Sequence, residues 1–152
     1  MSKSIMLIIT PVLIIIAGIL IWRLFFYLPP ANSIKMKIGN NNYNIELATT
    51  IAQKTKGLSG RNTLCKNCGM LFTFGFETNL PFWMKNTLIP LDMIWLDKNG
   101  KIVDIQTASE INSTKIYQNQ TPAQYVLELN ANDSQKINLK IGDIIDLSKL
   151  ND

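Results

Sequence analysis

Four side chains in this sequence stand close enough along the chain to suggest chemistry: Lys85 and Asp92 within FWMKNTLIPLDMIWLD (82–97), and Cys65 and Cys68 in CKNC (65–68). A lysine beside a carboxyl group can exchange a proton when burial draws both pKa values toward neutrality. The commoner arrangement is structural: a carboxylate in so apolar a run needs a partner, either Lys85, Arg61 or backbone N–H groups. Two cysteines three apart form either a disulfide or, if a thiol pKa is lowered, a redox pair. A glycine and a strand follow the second cysteine, where redox motifs of this spacing normally open a helix, so a staple for the 62–69 loop is the first reading. A thiol-redox role and free thiols are the alternatives. The chain has no histidine, which removes the commonest general base and metal ligand. Two cysteines do not fill a tetrahedral zinc shell, so neither a metal nor a cofactor is expected.

The same stretch can also be read as a surface. In a strand ending at Asn86, alternate side chains face opposite ways, so Phe82, Met84 and Asn86 share one side while Trp83 and Lys85 share the other. If the first set faces the core, Trp83 offers a stacking platform for a sugar or base and Lys85 a hold on an anion. The competing reading packs the aromatics under a loop, lets Lys85 snorkel, and gives Asn86 and Thr87 to the turn before the next strand. Arg61, after GLSG, either clamps a carboxylate or binds an anion. The candidate ligand-binding set is therefore Arg61, Trp83, Lys85, Asn86, Thr87 and Asp92, with Glu128 in YVLEL raising the same burial question as Asp92.

These residues must be positioned by elements that the pattern also predicts. After a tail at 1–4, residues 5–28 are apolar apart from Arg23. At about 1.5 Å per residue such a stretch crosses a hydrocarbon core of about 30 Å, and Trp22, Phe25, Phe26 and Tyr27 suit an interfacial belt. A retained signal-anchor is expected over a cleaved signal peptide, because the run is too long and no small-residue cleavage site ends it. Charge counting mildly favours the domain inside and the short N-terminal tail favours the opposite, so these two signals leave the orientation open. Residues 29–33 read as a linker and 34–149 as one domain, with a tail at 150–152. IKMKIG (34–39) and YNIEL (43–47) alternate as a hairpin, and Thr50 with Gln53 opens a short helix that Gly57 stops. Strands are predicted at 70–74, 80–86, 91–97, 101–107, 125–129 and 143–147, with a loop at 108–121 and a helical turn near 132–138. The Asn99-Gly100 pair suits a tight hairpin. Together these predict a mainly β fold, a compact antiparallel β-sandwich or barrel with one or two short helices. The net charge of +4 includes Lys3 and Arg23, and the remaining charges are scattered, so nucleic acid is not an expected partner.

KGLSGR (56–61), GMLFTF (69–74), PFWMKNTLIPLDMIWLD (81–97), Asn99-Gly100 with KIVDI, PAQYVLELNA (122–131) and KIGD (140–143) occur in the order seen in the prokaryotic domain of unknown function 192 family. The chain resembles that family over nearly all of residues 34–149. The resemblance implies a jelly-roll-like domain behind a signal peptide or membrane anchor, which favours an extracytoplasmic location, and implies no activity. It departs from the family's habit in carrying its cysteines at Cys65 and Cys68 and not in the loop occupied by ASEINSTKIYQNQ. The expectation is a single-pass membrane protein whose extracytoplasmic domain binds a small polar ligand or an envelope component. A thiol-redox protein using Cys65 and Cys68 is the alternative, and an enzyme using Lys85 and Asp92 is the third reading, with no catalytic constellation to support it.

Overall fold

The computed structural model describes residues 15–19 and 32–150. The expected span at 5–28 lies outside the described residues except for 15–19, which are helical and exposed. Among the described residues no helix is long and apolar enough to cross a membrane.

The domain begins with the expected hairpin, β1 (Ser33–Ile38) and β2 (Asn41–Ala48), turning through Gly39 at φ 57°. Helix α1 (Ile51–Lys56) follows. Thr50 accepts the Gln53 N–H at 3.2 Å and the Gln53 side chain accepts the Thr50 N–H at 2.9 Å, which satisfies two donors at its N-terminus. The chain then forms β3 (Cys68–Thr78), β4 (Phe82–Trp83), β5 (Leu91–Leu96), β6 (Ile102–Ala108), β7 (Ile116–Tyr117), β8 (Ala123–Asn130), a four-residue helix α2 (Asp133–Lys136) and a 3-10 turn (Ser148–Leu150). Six strands make one sheet in the order β1-β2-β3-β8-β5-β6, and β4 and β7 form a separate ribbon.

The fold is mainly β, but the antiparallel sandwich, jelly roll or barrel expected from the sequence is corrected to a mixed sheet. Strands β2 and β3 pair in parallel, with Asn44 opposite Cys68 and Ala48 opposite Phe72. A parallel neighbour requires a crossover, and α1 with its following loop supplies it. Among the described residues no second large sheet covers this one. One face packs on Leu58, Leu80, Met84 and Tyr117, from the loop after α1 and from the ribbon region; the other packs on Ile137, Leu139, Leu147 and Leu150 from the C-terminal segment. Strand β5 is buried at every position because both faces are covered: Leu91, Met93 and Trp95 point one way, Ile94 and Leu96 the other.

Three local expectations also change. The strand predicted at 80–86 is reduced to Phe82–Trp83, because Asn86 takes φ 57° and turns the chain. The predicted loop at 108–121 contains β7, which pairs Tyr117 with Phe82 and Ile116 with Trp83. DIIDL contributes one bridge, Lys101 to Ile144, and is otherwise held to the β5–β6 turn by Ile145 N–H donating to the Gly100 carbonyl at 2.9 Å. Gly100 stands at φ 78°, and a Cβ there would collide with the Ile145 carbonyl oxygen, so the turn requires glycine on both counts.

Asp92 lies fully buried on the face opposite Met93 and Trp95. Its carboxyl group accepts four hydrogen bonds: from Thr107 Oγ1 at 2.7 Å, the Asn132 N–H at 3.0 Å, the Ser134 N–H at 2.9 Å and Ser134 Oγ at 2.6 Å. One side chain thus joins β5 to β6 and anchors the start of α2. Because hydrogen bonds to a carboxylate contribute about 1.5–3 kcal/mol each and orphaned buried donors cost more, Asp92→Asn is expected to lower stability by about 2–4 kcal/mol. Thr107→Ala, which removes one donor of four, is expected to cost about 1 kcal/mol. Denaturant midpoints of the full chain measure both, and equal stability of Asp92→Asn and parent would refute the anchoring role.

Candidate functional site

Above the β3–β8 face, between the turn that ends α1 and the 81–87 segment, is a cleft of about 260 Å³. Its position follows from the alternation of β8, the strand between β3 and β5. Glu128 lies in register with Met70 on one side and Met93 on the other, so its side chain shares their face. Phe72, the next residue along that face of β3, lines the cleft beside it, with Leu58, Phe74, Phe82, Trp83 and Thr87. The Phe82 ring ties the wall together by edge contacts to Phe72 at 5.0 Å, Phe74 at 6.4 Å and Trp95 at 6.3 Å between centroids. Trp95 is fully buried beneath, its indole N–H donating to the Leu80 carbonyl at 3.0 Å.

Three lysines, Lys54, Lys56 and Lys85, also line the cleft. Lys54 Nζ is 4.7 Å from the Phe74 ring centre and donates to the Thr73 carbonyl at 2.8 Å. Lys85 Nζ is 5.4 Å from the Trp83 ring. Trp83 keeps 52% of its surface exposed while Met84 keeps none, so the inward and outward alternation read from the sequence holds as far as Lys85 and ends at Asn86, which was expected on the inward side and is exposed at the turn.

The candidate set divides. Trp83, Lys85 and Thr87 meet at the cleft. Asn86 serves the adjoining turn: its N–H donates to the Asn112 side chain at 3.0 Å and its carbonyl accepts the Gly60 N–H at 2.8 Å, which docks the 57–61 loop. Arg61, close by, forms two parallel bonds of 2.5 Å to Glu46. Asp92 is on the far side of the sheet, held by its own donors, and neither Lys85 nor Arg61 is its partner. Cys65 and Cys68 are joined as a disulfide with Cα atoms 5.3 Å apart. Among the described residues no cluster of three or more His, Cys, Asp or Glu could hold a metal ion.

Glu128 is the residue whose weight the sequence understated. It is 4% exposed and has no hydrogen-bond donor from the described residues. No buried side-chain oxygen or nitrogen among them is both sealed from solvent and unpartnered, so the Glu128 carboxyl group reaches the cleft. Burial, with no offsetting bond or charge, pushes its pKa up to about 8. At neutral pH the floor of the cleft is therefore a neutral carboxylic acid, able to donate one hydrogen bond and accept others. The only hint in the sequence was a glutamate inside an apolar strand. Lys54, Lys56, Phe72 and Phe74 lie far from FWMKNT along the chain and gave no comparable hint.

The unfolded chain releases this proton near 4.5 and the folded chain near 8. Between those values the unfolded state holds fewer protons, so stability falls as pH rises, by about 1.4 kcal/mol per pH unit from this group, and is fully retained below the lower value. Glu128→Gln is expected to abolish that slope and to exceed the parent in stability at pH 8. Denaturation of both proteins from pH 4 to 9 checks it; parallel stability curves would show that Glu128 ionises normally.

Two solved structures share the fold. One is a protein of Sinorhizobium meliloti 1021, named as a candidate transcription regulator, 32% identical, with a TM-score of 0.69 over 75% of this chain and 91% of that one. The other, from Novosphingobium aromaticivorans DSM 12444, is a protein of unknown function, 28% identical, with a TM-score of 0.67 over 75% of this chain and 83% of that one. No curated protein matches the chain. The family model of domain of unknown function 192, described as an uncharacterized ACR, matches residues 34–147, which include every strand from β2 to β8 and the whole cleft. The chain belongs to the domain of unknown function 192 family.

Proposed function

We propose that the domain is a binding module that takes a small polar ligand into the cleft above Glu128. One observation carries the proposal: a buried carboxyl group with no partner among the described residues, opening into a cleft walled by aromatic rings. Folded proteins pair nearly all their buried polar groups, and an exception placed in a cleft marks a site where a ligand supplies the missing bond. The wall chemistry narrows the class. Phe74, Phe82 and Trp83 suit the flat face of a ring, and the lysines at the cleft suit a carboxylate or phosphate on its edge. The acid on the floor donates to a hydroxyl, carbonyl or ring oxygen. A ring of sugar or aromatic size bearing one anionic group satisfies all three, and about 260 Å³ accommodates one such ring.

The apolar stretch at 5–28 supports the further reading that this module is tethered to a membrane, outside the cytoplasm, where the ligand is an envelope component or its fragment. The regulator name attached to the Sinorhizobium protein gives no equal support here, since the chain's positive charges are scattered and a nucleic-acid footprint needs them clustered.

The test is a titration of the purified full chain with neutral and anionic ring compounds, glucuronate and benzoate among them, followed by tryptophan fluorescence. Saturable binding of anionic rings is expected, weakened about tenfold or more by Trp83→Ala and by Lys85→Ala with melting temperatures unchanged. Binding should fade above about pH 8 in the parent and persist in Glu128→Gln, whose amide still donates. Absence of binding across the panel, or binding indifferent to both substitutions, would overturn the cleft as the site.

A further inference from the structure

The disulfide lies outside the residues that line the cleft, and its two cysteines differ in exposure. Cys65 is exposed in the 62–67 loop; Cys68, the first residue of β3, is 7% exposed. The loop between them is held without the S–S bond. The Cys68 N–H donates to the Cys65 carbonyl at 3.2 Å, the Asn44 N–H to the Asn67 carbonyl at 2.9 Å, and the Asn130 side chain to the Cys65 carbonyl at 3.1 Å. Asn67 takes the positive φ of 56° that the turn requires. A cross-link between residues three apart also constrains the unfolded chain far less than one closing a long loop. The bond is thus poorly placed to act as a staple and well placed to be attacked from one side. Lys66, exposed between the cysteines, adds a positive charge that favours an approaching thiolate.

We propose that Cys65–Cys68 is a thiol-exchange site that oxidises an exposed dithiol of a protein or peptide. A thiolate of the partner attacks Cys65 Sγ, forming a mixed disulfide. The Cys65–Cys68 bond breaks, and its electron pair leaves on Cys68 Sγ, which takes up a proton. The partner's second thiolate attacks its own sulfur in the mixed disulfide and expels the Cys65 thiolate, which is protonated in turn. The partner dithiol loses two electrons and two protons and becomes a disulfide, and this chain gains them as two thiols. Attack is directed to Cys65 because the buried Cys68 sulfur is closed to an incoming protein thiol.

The experiment mixes the oxidised full chain with a short reduced peptide carrying two thiols and follows acid-quenched samples by mass spectrometry. Oxidation of the peptide at least about tenfold faster than by oxidised glutathione at equal concentration is expected. With a peptide carrying an activated disulfide, Cys68→Ser should capture the peptide on Cys65, while Cys65→Ser should capture it on Cys68 at least about tenfold more slowly. A parent protein no faster than oxidised glutathione would overturn the proposal and leave the bond a staple, and that arm needs no variant to fold. Equal capture at the two positions would overturn the directed attack.

Discussion

A carboxyl group inside a sheet must find its hydrogen bonds among whatever the chain can bring to it, and in this domain the rest of the fold is arranged around how Asp92 does so. Its donors come from β6 and from the two residues flanking the start of α2. Placing α2 fixes the exit of β8 and starts the C-terminal segment, whose Ile137, Leu139 and Leu147 then lie over the face that carries Ile94 and Leu127. A single six-stranded sheet can keep both faces dry only if something other than a second sheet covers them. The Asp92 cluster is what directs the chain to cover one, and it leaves the other to the crossover loop and the β4–β7 ribbon, whose junction forms the cleft.

Two carboxyl residues on neighbouring strands therefore meet opposite fates. Asp92 stands opposite Leu129, and Glu128, one residue earlier on β8, stands opposite Met93. One step of the pleat sends the first side chain into four donors and the second into none among the described residues. Burial alone does not separate them, since both are nearly or fully inaccessible. The difference is hydrogen-bond satisfaction, and it distinguishes a carboxyl group that builds the fold from one that a cleft holds ready. Lysine and aspartate in FWMKNTLIPLDMIWLD, eye-catching for their spacing, are separated by the same geometry: the turn at Asn86 leaves Lys85 beside the cleft, while the pleat of β5 carries Asp92 to the far face.

What could be read in advance was local. Period-two alternation gave the hairpin at 34–47, the Thr50 and Gln53 pair gave the helix start, and Asn99-Gly100 gave the turn between β5 and β6, because each depends on residues within a few positions of one another. The parallel pairing of β2 and β3 was implied by strand, helix, strand in that order, yet a chain otherwise full of hairpins suggested an all-antiparallel fold. DIIDL has strand composition, but only Ile145 is buried and its bonds run to a turn and not to a ladder. The Asp92 donors are 15, 40 and 42 residues away in sequence, and the cleft joins residues from 54 to 128. No spacing rule reaches across such distances; they are set by which strands become neighbours.

The cleft and the disulfide loop both touch β8, which raises the question of whether one can act without disturbing the other. Asn130 and Glu128 lie two apart on the same face of that strand, and Asn130 holds the Cys65 carbonyl. Gly69 separates them mechanically. A Cβ there would stand 2.5 Å from the Glu128 carbonyl oxygen and 2.7 Å from Leu129, so β3 and β8 approach at a distance only glycine allows. From Gly69 onward β3 is fixed by its ladder to β8 and by the parallel ladder to β2. Rearrangement of the CKNC loop is thereby confined to residues before Gly69, of which Cys65 and Lys66 are exposed and held by a few bonds. The floor of the cleft depends on the ladder and the disulfide on the loop, so opening the S–S bond leaves Glu128 in its register.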